Sequence, residues 1–187
     1  GVAAMPLWAG LFSALRGEHP SAREWLGIAI GFAGVLWLNI GSEMNAGWQG
    51  LLAVFIAPIT WAYGSIWSRQ QDLPAPFMSA ASQMLLGSVF ACMTGLLIGE
   101  RILEVPKLMP TLAMLYLVIA GSIFGFTAYI WLLHNVRPAL ATSYAYVNPV
   151  IAVAIGAMLL DEKFNSNAIG AMLLILFGVI LMTIKKK

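Results

Sequence analysis

Charged residues are scarce in this sequence, and their scarcity excludes most soluble folds. Asp, Glu, Lys and Arg make up 10% of the 187 residues, against 60% hydrophobic residues, whereas soluble domains carry about 25% charged residues. No charged residue falls within seven long stretches, which are 1–15, 25–42, 44–68, 73–99, 108–136, 138–160 and 164–184. A helix needs about 20 apolar residues to cross a bilayer. We therefore predict an all-α, polytopic membrane helix bundle with seven transmembrane helices, of which the first is truncated.

The sequence also lacks the residue groups that metalloproteins and nucleotide-binding proteins need. Cys92 is the single cysteine, which excludes an intrachain disulfide and a cysteine metal cluster. His19 and His134 have no second His, Cys or acid at ligand spacing, so we predict no metal site and no cofactor. No phosphate-binding Gly-x-x-x-x-Gly-Lys-Ser/Thr motif is present. The basic residues are scattered except at Lys185–Lys187, so nucleic acid is not an expected partner.

The basic residues divide unevenly between the two sets of loops. Seven lie in the loops after the first, third and fifth segments and in the tail, namely Arg16, Arg23, Arg69, Arg137, Lys185, Lys186 and Lys187. The opposite loops carry three, namely Arg101, Lys107 and Lys163. Because loops rich in Lys and Arg remain in the cytoplasm, we predict an integral, multi-pass membrane protein with a cytoplasmic carboxy terminus.

Two parts of the chain repeat a spacing of proline, acid and glycine. An acid follows the proline after 12 positions and a glycine after 21, in the two series Pro6, Glu18, Gly27 and Pro149, Asp161, Gly170. Either Asp161 or the adjacent Glu162 is the counterpart of Glu18. The copies start five helices apart, and an odd separation inverts the second copy in the membrane, as in transporters built from inverted repeats. We therefore predict the last two helices of a first repeat in 1–43, a complete five-helix repeat in 44–187, and three further helices ahead of residue 1.

The repeat also carries a family resemblance. An alanine-rich run with aromatic residues ends at a proline, an acid follows after 12 or 13 positions, and a glycine-containing helix comes next. These features are Ala139–Pro149, Glu162 and Gly170–Gly178, with a partial copy at Pro6, Glu18, Gly27 and Gly34. The pattern resembles the EamA-type members of the drug/metabolite transporter superfamily. The resemblance implies a ten-helix exporter of small metabolites or drugs in a bacterial inner membrane, with a small-molecule substrate, the lipid bilayer and the missing amino-terminal helices as partners.

Tyr144 and Asn148 are the leading candidates for a substrate site. They are four positions apart and share one face of the predicted sixth helix, while Tyr146 points elsewhere. Polar groups at membrane depth usually face a bundle interior or a water-filled cavity. Hydrogen bonds between helices, without a substrate, are the alternative. We favour the cavity because a break at Pro149 is expected beside these two side chains.

Further candidates come from the third, fourth and fifth helices. Trp61 lies too deep for the interfacial aromatic belt, so it either lines the cavity or packs in the interior. Gln83 is the only glutamine at membrane depth and needs partners within the bundle, and Tyr129 is expected to add an aromatic wall. An interior proline leaves a carbonyl without its helical partner, and we predict three helix breaks, at Pro6, Pro58 and Pro149.

Glycines recur on one face of the second helix and on the last helix. The members of this group are Gly27, Gly31, Gly34, Gly170 and Gly178. Small residues allow two transmembrane helices to approach closely. We therefore predict that the second and seventh transmembrane helices pack against each other.

The pattern favours a secondary transporter that works by alternating access, and not an enzyme. No Asp or Glu lies inside any span, so a buried carboxylate for proton coupling would lie outside this chain, and Glu18 and Glu162 are expected to be structural. A seven-helix receptor or retinal protein is one alternative, but the last span has no lysine before Lys185 for a Schiff base. An intramembrane enzyme is the other, but it needs paired acids or a Ser–His arrangement within the spans, and His134 stands alone.

Overall fold

A computed structural model describes residues 2–40, 47–101, 107–160 and 166–184. All regular structure within these ranges is helical, and none of it is strand. The residues of the sequence analysis that lie outside the described ranges are Asp161, Glu162, Lys163 and Lys185–Lys187.

Nine α-helices follow one another along the described part of the chain. They are α1 (Met5–Leu15), α2 (Ala22–Leu38), α3 (Trp48–Ser68), α4 (Pro76–Leu97), α5 (Leu108–Tyr116), α6 (Thr127–Asn135), α7 (Pro138–Ala141), α8 (Tyr144–Leu160) and α9 (Ser166–Thr183). A 3-10 turn, Val2–Ala4, precedes α1. A π-helical stretch, Leu117–Phe126, joins α5 and α6 into one continuous helix.

The helices agree with the seven apolar segments of the sequence. Four described helices are long and apolar enough to cross a membrane, namely Trp48–Ser68, Pro76–Leu97, Leu108–Asn135 and Pro138–Gly156. Two shorter apolar helices cover Val2–Leu15 and Asn167–Thr183, and α2 has 17 residues. Each predicted segment therefore contains a helix, and the prediction of an all-α, polytopic membrane bundle is confirmed.

The sixth segment is interrupted, but at a different place from the predicted one. The break between α7 and α8 lies at Thr142 and Ser143. The Thr142 hydroxyl donates a hydrogen bond to the carbonyl of Pro138 at 3.0 Å, and the Ser143 hydroxyl donates one to the carbonyl of Leu140 at 2.8 Å. Such local bonds from Ser and Thr side chains offer the backbone an alternative to the regular helix. The interruption therefore coincides with two adjacent hydroxyl residues rather than with a proline.

The prolines do not interrupt the helices that contain them. Pro58 lies inside α3 and Pro149 lies inside α8, and both helices continue past the proline. An interior proline removes one backbone hydrogen bond, and in a membrane bundle neighbouring groups re-satisfy the carbonyl that it frees. Pro6 lies in the first turn of α1, where the missing N–H has no helical partner anyway. The predicted breaks at Pro58 and Pro149 are therefore absent, and Pro6 marks a helix start.

Local signals explain the tight connection between α1 and α2. Gly17 follows the end of α1 with a φ of +87°, a left-handed conformation that glycine adopts without strain. At the start of α2, the backbone N–H of Glu24 donates to Ser21 Oγ at 3.3 Å, and the Ser21 N–H donates to Glu24 Oε2 at 2.7 Å. This reciprocal pair is a capping box, which satisfies two N–H groups that the first helical turn leaves unpaired. The connection is therefore short and holds Glu24 at a fixed position.

The described residues form two compact units, of which one comprises 1–70 and 136–187 and the other comprises 71–135. In the first unit, the main core gathers apolar side chains of α2, α8 and α9, among them Ile28, Tyr146, Ile175 and Met182. In the second unit, α4 packs against α6. Of the residues predicted to form a substrate site, Trp61, Tyr144 and Asn148 belong to the first unit, and Gln83 and Tyr129 belong to the second.

Candidate functional site

The helices α2 and α9 pack antiparallel, with their backbones in contact. A Cβ atom added at Gly27 would lie 2.7 Å from the carbonyl oxygen of Gly178, and one added at Gly178 would lie 2.6 Å from the amide nitrogen of Gly31. At Gly34, an added Cβ would lie 3.0 Å from the amide nitrogen of Ile175. These separations are shorter than ordinary van der Waals contacts. The four glycines therefore lie where only a hydrogen atom fits.

The α2–α9 contact has an internal two-fold symmetry. Gly27 meets Gly178, and Gly34 meets Ala171. The two contacts are related by one offset of 144 positions, which makes Ala171 the counterpart of Gly27 and Gly178 the counterpart of Gly34. An inverted repeat requires such a two-fold relation between the matching helices of its two copies. The offset pairs Gly27 with Ala171, one position beyond the Gly170 that the spacing from the prolines suggests.

Gly170 has a different neighbour from the other glycines. A Cβ atom added there would lie 2.9 Å from the indole ring of Trp37 rather than from backbone. Applied to the acids, the offset of 144 matches Glu18 to Glu162 in the sequence. In the predicted repeat, one extra residue therefore lies between Pro149 and Glu162 relative to the first copy.

Tyr146 fills the space beside Gly31 and is the most deeply buried aromatic residue of the described core. Its side chain is 0% exposed, and its ring lies 2.8 Å from the position of a Cβ added at Gly31. The Tyr146 hydroxyl donates a hydrogen bond to the carbonyl oxygen of Ile28 at 3.1 Å. The sequence analysis set Tyr146 aside because it does not share a face with Tyr144. The signal available in the sequence was Tyr146 itself, because the hydroxyl group of a buried tyrosine needs a hydrogen-bond partner.

A cavity of about 230 Å³ lies where α1, α3 and α8 meet in the first unit. Its wall is formed by Val2, Met5, Ala57, Pro58, Trp61 and Tyr144. The Tyr144 hydroxyl lies 3.9 Å from the Sδ atom of Met5. The structure therefore brings together two of the predicted site residues, Trp61 and Tyr144, and adds Pro58 to the same wall. The contribution of Met5 and Val2 follows from the tertiary fold and had no signal in the sequence.

The other three predicted cavity residues lie elsewhere. Asn148, one turn beyond Tyr144 on α8, has an exposed side chain and does not line the cavity. Gln83 belongs to the second unit, where its Nε2 donates to Ser79 Oγ of the same helix at 2.9 Å. Tyr129 also belongs to the second unit, where it is buried and its ring stacks on Phe126 with centroids 6.3 Å apart.

Ion pairs occupy one end of the first unit, which carries Arg16, Arg69 and Arg137 and is named here the arginine-rich end. Arg69 Nη1 lies 3.0 Å from Glu18 Oε2, an ion pair whose angles fall outside those of a hydrogen bond. Arg16 Nη1 donates to Gln70 Oε1 at 3.0 Å. The connection between α1 and α2 is thereby joined to the end of α3.

Glu24 is a buried acid that the sequence analysis did not single out. Its side chain is 3% exposed and its Oε2 lies 2.6 Å from Arg137 Nη1. Arg137 also donates to the carbonyl of Met182 in α9 at 3.4 Å. A buried carboxylate needs a charged or hydrogen-bonding partner to remain ionised, and Arg137 with the Ser21 N–H supplies both. The Ser-x-x-Glu capping box was the signal in the sequence that could have placed Glu24 inside a helix.

The described residues contain no group of three His, Cys, Asp or Glu side chains that could hold a metal ion. Neither His19 nor His134 lines the cavity between α1, α3 and α8. His134 Nδ1 lies 2.9 Å from the carbonyl oxygen of Ile130 in its own helix. The part of the cavity wall that the structure describes contains no His, Cys, Asp or Glu side chain.

Comparison with known proteins identifies relatives along almost the whole chain. The sequence profile of the EamA-like transporter family matches residues 48–184. The uncharacterized inner membrane transporter YedA of Escherichia coli (strain K12) is 40% identical over 185 residues, which cover 99% of this chain and 60% of YedA. The uncharacterized transporter YvbV of Bacillus subtilis (strain 168) is 23% identical over 188 residues, which cover 97% of this chain and 61% of YvbV. The chain thus spans about 60% of the length of these relatives. No solved structure matches it.

Proposed function

Because the chain belongs to the EamA-like transporter family, we propose that it is part of a secondary transporter that exports small metabolites or drugs by alternating access. The observation that carries this proposal is the cavity that contains Trp61 and Tyr144. In the predicted domain division, α1 belongs to the first repeat and α3 and α8 belong to the second. Transporters built from inverted repeats bind their substrates where the repeats meet, and the cavity lies at that position.

The cavity wall favours a compact substrate without net charge. Its side chains are apolar except for the indole N–H of Trp61 and the hydroxyl of Tyr144, and none is charged. Aromatic rings of this kind offer a broad apolar surface with one polar tip each. The volume of about 230 Å³ is below the roughly 300–1,000 Å³ of sites for drug-sized ligands. A small metabolite with a ring or short apolar body and one or two hydrogen-bonding groups fits these features best.

The same wall bears on the energy source. Among the described residues, no acidic, basic or histidine side chain lines the cavity, so this part of its wall carries no group that could exchange a proton together with the substrate. Facilitated diffusion is compatible with this arrangement, as is coupling to an ion through a residue of another segment. In either case Trp61 and Tyr144 bind and orient the substrate and take no part in the energy conversion.

Catalysis is the second class of function, and the geometry does not favour it. A nucleophilic mechanism needs a Ser, Cys or Thr beside a general base, and a metal-assisted one needs ligands around an open coordination position. The cavity wall contains neither arrangement. Transport of an unmodified substrate is therefore the better account of this cavity.

We further propose that the arginine-rich end faces the cytoplasm and that the carboxy terminus lies on that side. The loops after the first, third and fifth segments supply Arg16, Arg69 and Arg137 to this one end of the unit. Loops with an excess of basic residues remain cytoplasmic. A tag at the carboxy terminus, probed by protease in right-side-out and inside-out vesicles, tests this orientation; cleavage only in right-side-out vesicles would contradict it.

Transport by the full-length protein in proteoliposomes tests the proposed function. The panel contains neutral, zwitterionic and charged metabolites, with and without rings, and we expect saturable flux of compact members without net charge. Trp61→Leu should raise KM about fivefold, since losing an aromatic contact costs about 1 kcal/mol. Trp48→Leu is the matched control, because Trp48 begins the same helix and is 69% exposed. Absence of flux for every compound contradicts transport, and equal effects of the two variants contradict the assigned cavity.

A further inference from the structure

The helices α1 and α3 meet in three successive layers between the cavity and the arginine-rich end. The first layer is the cavity wall, to which Met5 contributes from α1 and Pro58 and Trp61 contribute from α3. The last layer contains Arg69 at the end of α3. Because a helix rises about 1.5 Å per residue, Pro58 lies about 16 Å from Arg69 along α3. The middle layer therefore separates the cavity from the polar end by two to three helical turns.

The middle layer is apolar and closed. Ala9 of α1 and Ala62 of α3 are both 0% exposed, and Ile66 of α3 is 3% exposed. These three residues form one cluster, against which Trp8 and Phe12 of α1 also pack. Small side chains at a helix contact let the two backbones approach closely. This apolar layer holds α1 and α3 in contact between the cavity and the arginine-rich end.

The last layer is polar and joins the same two helices. Glu18 Oε2, just beyond α1, lies 3.0 Å from Arg69 Nη1. Arg16 Nη1 donates to Gln70 Oε1 at 3.0 Å and to the carbonyl of Ile66 at 3.4 Å. The Arg16 guanidinium also lies 5.5 Å from the centroid of the Tyr63 ring, within the range of a cation–π contact. Every contact in this layer is made by a long side chain that can rotate away.

We propose that this α1–α3 contact is a gate that closes the arginine-rich end of the transport path, and that the Glu18–Arg69 ion pair holds it closed. The inference rests on the proposed transport function and adds the contact that must open. The gate is closed in this structure, because the apolar layer is buried and the ion pair is formed. Opening requires α1 to move away from α3 and exposes the cavity to the arginine-rich side.

The composition of the contact suits repeated opening. The Arg69 and Glu18 side chains are 23% and 50% exposed, and although the Arg69 Nη1 atom itself is buried, an ion pair between partly exposed side chains stabilises a contact only weakly. The two alanines of the middle layer add little side-chain surface to rehydrate when the helices part, whereas Ile66, Trp8 and Phe12 supply most of the apolar surface of this layer. A ligand or a substitution that favours the open state by a small amount can therefore shift the population measurably.

The reaction of a buried cysteine with a water-soluble maleimide tests this gate. Ile66→Cys places a thiol in the apolar layer, and Met182→Cys places a matched thiol in the α2–α9 contact, near the same end of the unit. Both original side chains are buried, at 3% and 0% exposure, and cysteine is smaller than either. The variants are made in the full-length protein after Cys92 and any other cysteine have been replaced by serine.

The expected result is a selective change at the gate. Glu18→Gln should make the Ile66→Cys thiol react about 2- to 5-fold faster, as the loss of a weak ion pair would raise the open population. The Met182→Cys thiol should react at its original slow rate. Exchange of the charges, Glu18→Arg with Arg69→Glu, should bring the rate at Ile66→Cys back toward that of the parent. Arg69→Gln provides an independent variant if Glu18→Gln does not fold.

Two results would overturn the gate. One is an unchanged rate at Ile66→Cys in both Glu18→Gln and Arg69→Gln. The other is an equal rise at Ile66→Cys and Met182→Cys, because the ion pair would then hold the whole unit together. The assay needs no substrate. Flux with an unchanged thiol rate therefore contradicts the gate alone, whereas a selective rate change without any flux contradicts the transport function.

Discussion

Two of the helix contacts that join the predicted first repeat to the second, α2–α9 and α1–α3, differ in the groups that meet. In the α2–α9 contact, the backbones touch at Gly27, Gly31, Gly34 and Gly178. In the α1–α3 contact, alanines and long polar side chains meet instead, with the Glu18–Arg69 pair at the end. A contact between backbones that separates by only about 0.5–1 Å loses roughly a quarter to a half of its van der Waals attraction. The difference indicates that α2–α9 is a fixed contact and α1–α3 a separable one.

The largest expected effect comes from filling the fixed contact. Gly178→Val should lower the free energy of unfolding by about 3 kcal/mol or more, because the new Cβ would meet the backbone of Gly31 at 2.6 Å and of Gly27 at 2.8 Å. Gly87→Val is the matched control, since an added Cβ at Gly87 of α4 meets no atom within 4 Å. Denaturant titration of the purified full-length protein measures both. Equal stabilities of the two variants would remove the distinction between the contacts.

The next largest effect should come from Arg137→Gln. This substitution removes the guanidinium from the Glu24 carboxylate, which is 3% exposed, and leaves it the hydrogen bond from the Ser21 N–H. Loss of the charged partner of this buried acid should lower the free energy of unfolding by about 2 kcal/mol. A larger loss is not expected, because the Arg137 side chain is 41% exposed. Arg101→Gln, at an exposed position beyond α4, is the control. An unchanged free energy of unfolding in Arg137→Gln would show that the Glu24 pair does not support the fixed contact.

A smaller effect is expected from Tyr146→Phe. The substitution keeps the ring that fills the space beside Gly31 and removes the hydrogen bond to the carbonyl of Ile28. The expected loss is about 1 kcal/mol in the free energy of unfolding. Tyr116→Phe, at a residue that is 69% exposed, should leave stability unchanged. A loss of several kcal/mol in Tyr146→Phe would mean that the hydroxyl positions α2 rather than only satisfying one carbonyl.

The smallest effect on stability is expected from Glu18→Gln, although its effect on the gate is the most informative. The Glu18 side chain is 50% exposed, so the variant should lose less than about 1 kcal/mol of stability. Glu100→Gln, at an exposed acid beyond α4, serves as the control in the same titration. A loss as large as that of Arg137→Gln would place the Glu18–Arg69 pair in the fixed part of the molecule and contradict the separable contact.

The sequence predicted the helices well because the membrane restricts them. Every predicted apolar segment contains a helix, since a chain in lipid must satisfy its backbone hydrogen bonds internally. The position of the break in the sixth segment was predicted wrongly, because proline was given more weight than the adjacent hydroxyls of Thr142 and Ser143. Whether a proline or a hydroxyl residue interrupts a helix depends on which backbone groups the neighbouring helices can hydrogen-bond. The sequence around the interruption does not contain that information.

The candidate site was predictable only in part for the same reason. Trp61 and Tyr144 drew attention because polar and aromatic groups at membrane depth need an explanation, and both line the cavity. Tyr146 and Glu24 were missed because their roles depend on partners more than 100 positions away, the carbonyl of Ile28 and the guanidinium of Arg137. Spacing within one helix cannot reveal such partners.

The most direct test measures both contacts in the same protein. Spin labels at the exposed His19 and Trp67 report on the α1–α3 contact, and labels at the exposed Ala29 and Ile180 report on the α2–α9 contact. Distance distributions are recorded with and without a transported compound, and in Glu18→Gln. We expect a second, longer distance between the labels at positions 19 and 67, and a single unchanged distance between the labels on α2 and α9. A single unchanged distance at α1–α3 in every condition, or an equal shift in both pairs, would contradict the account.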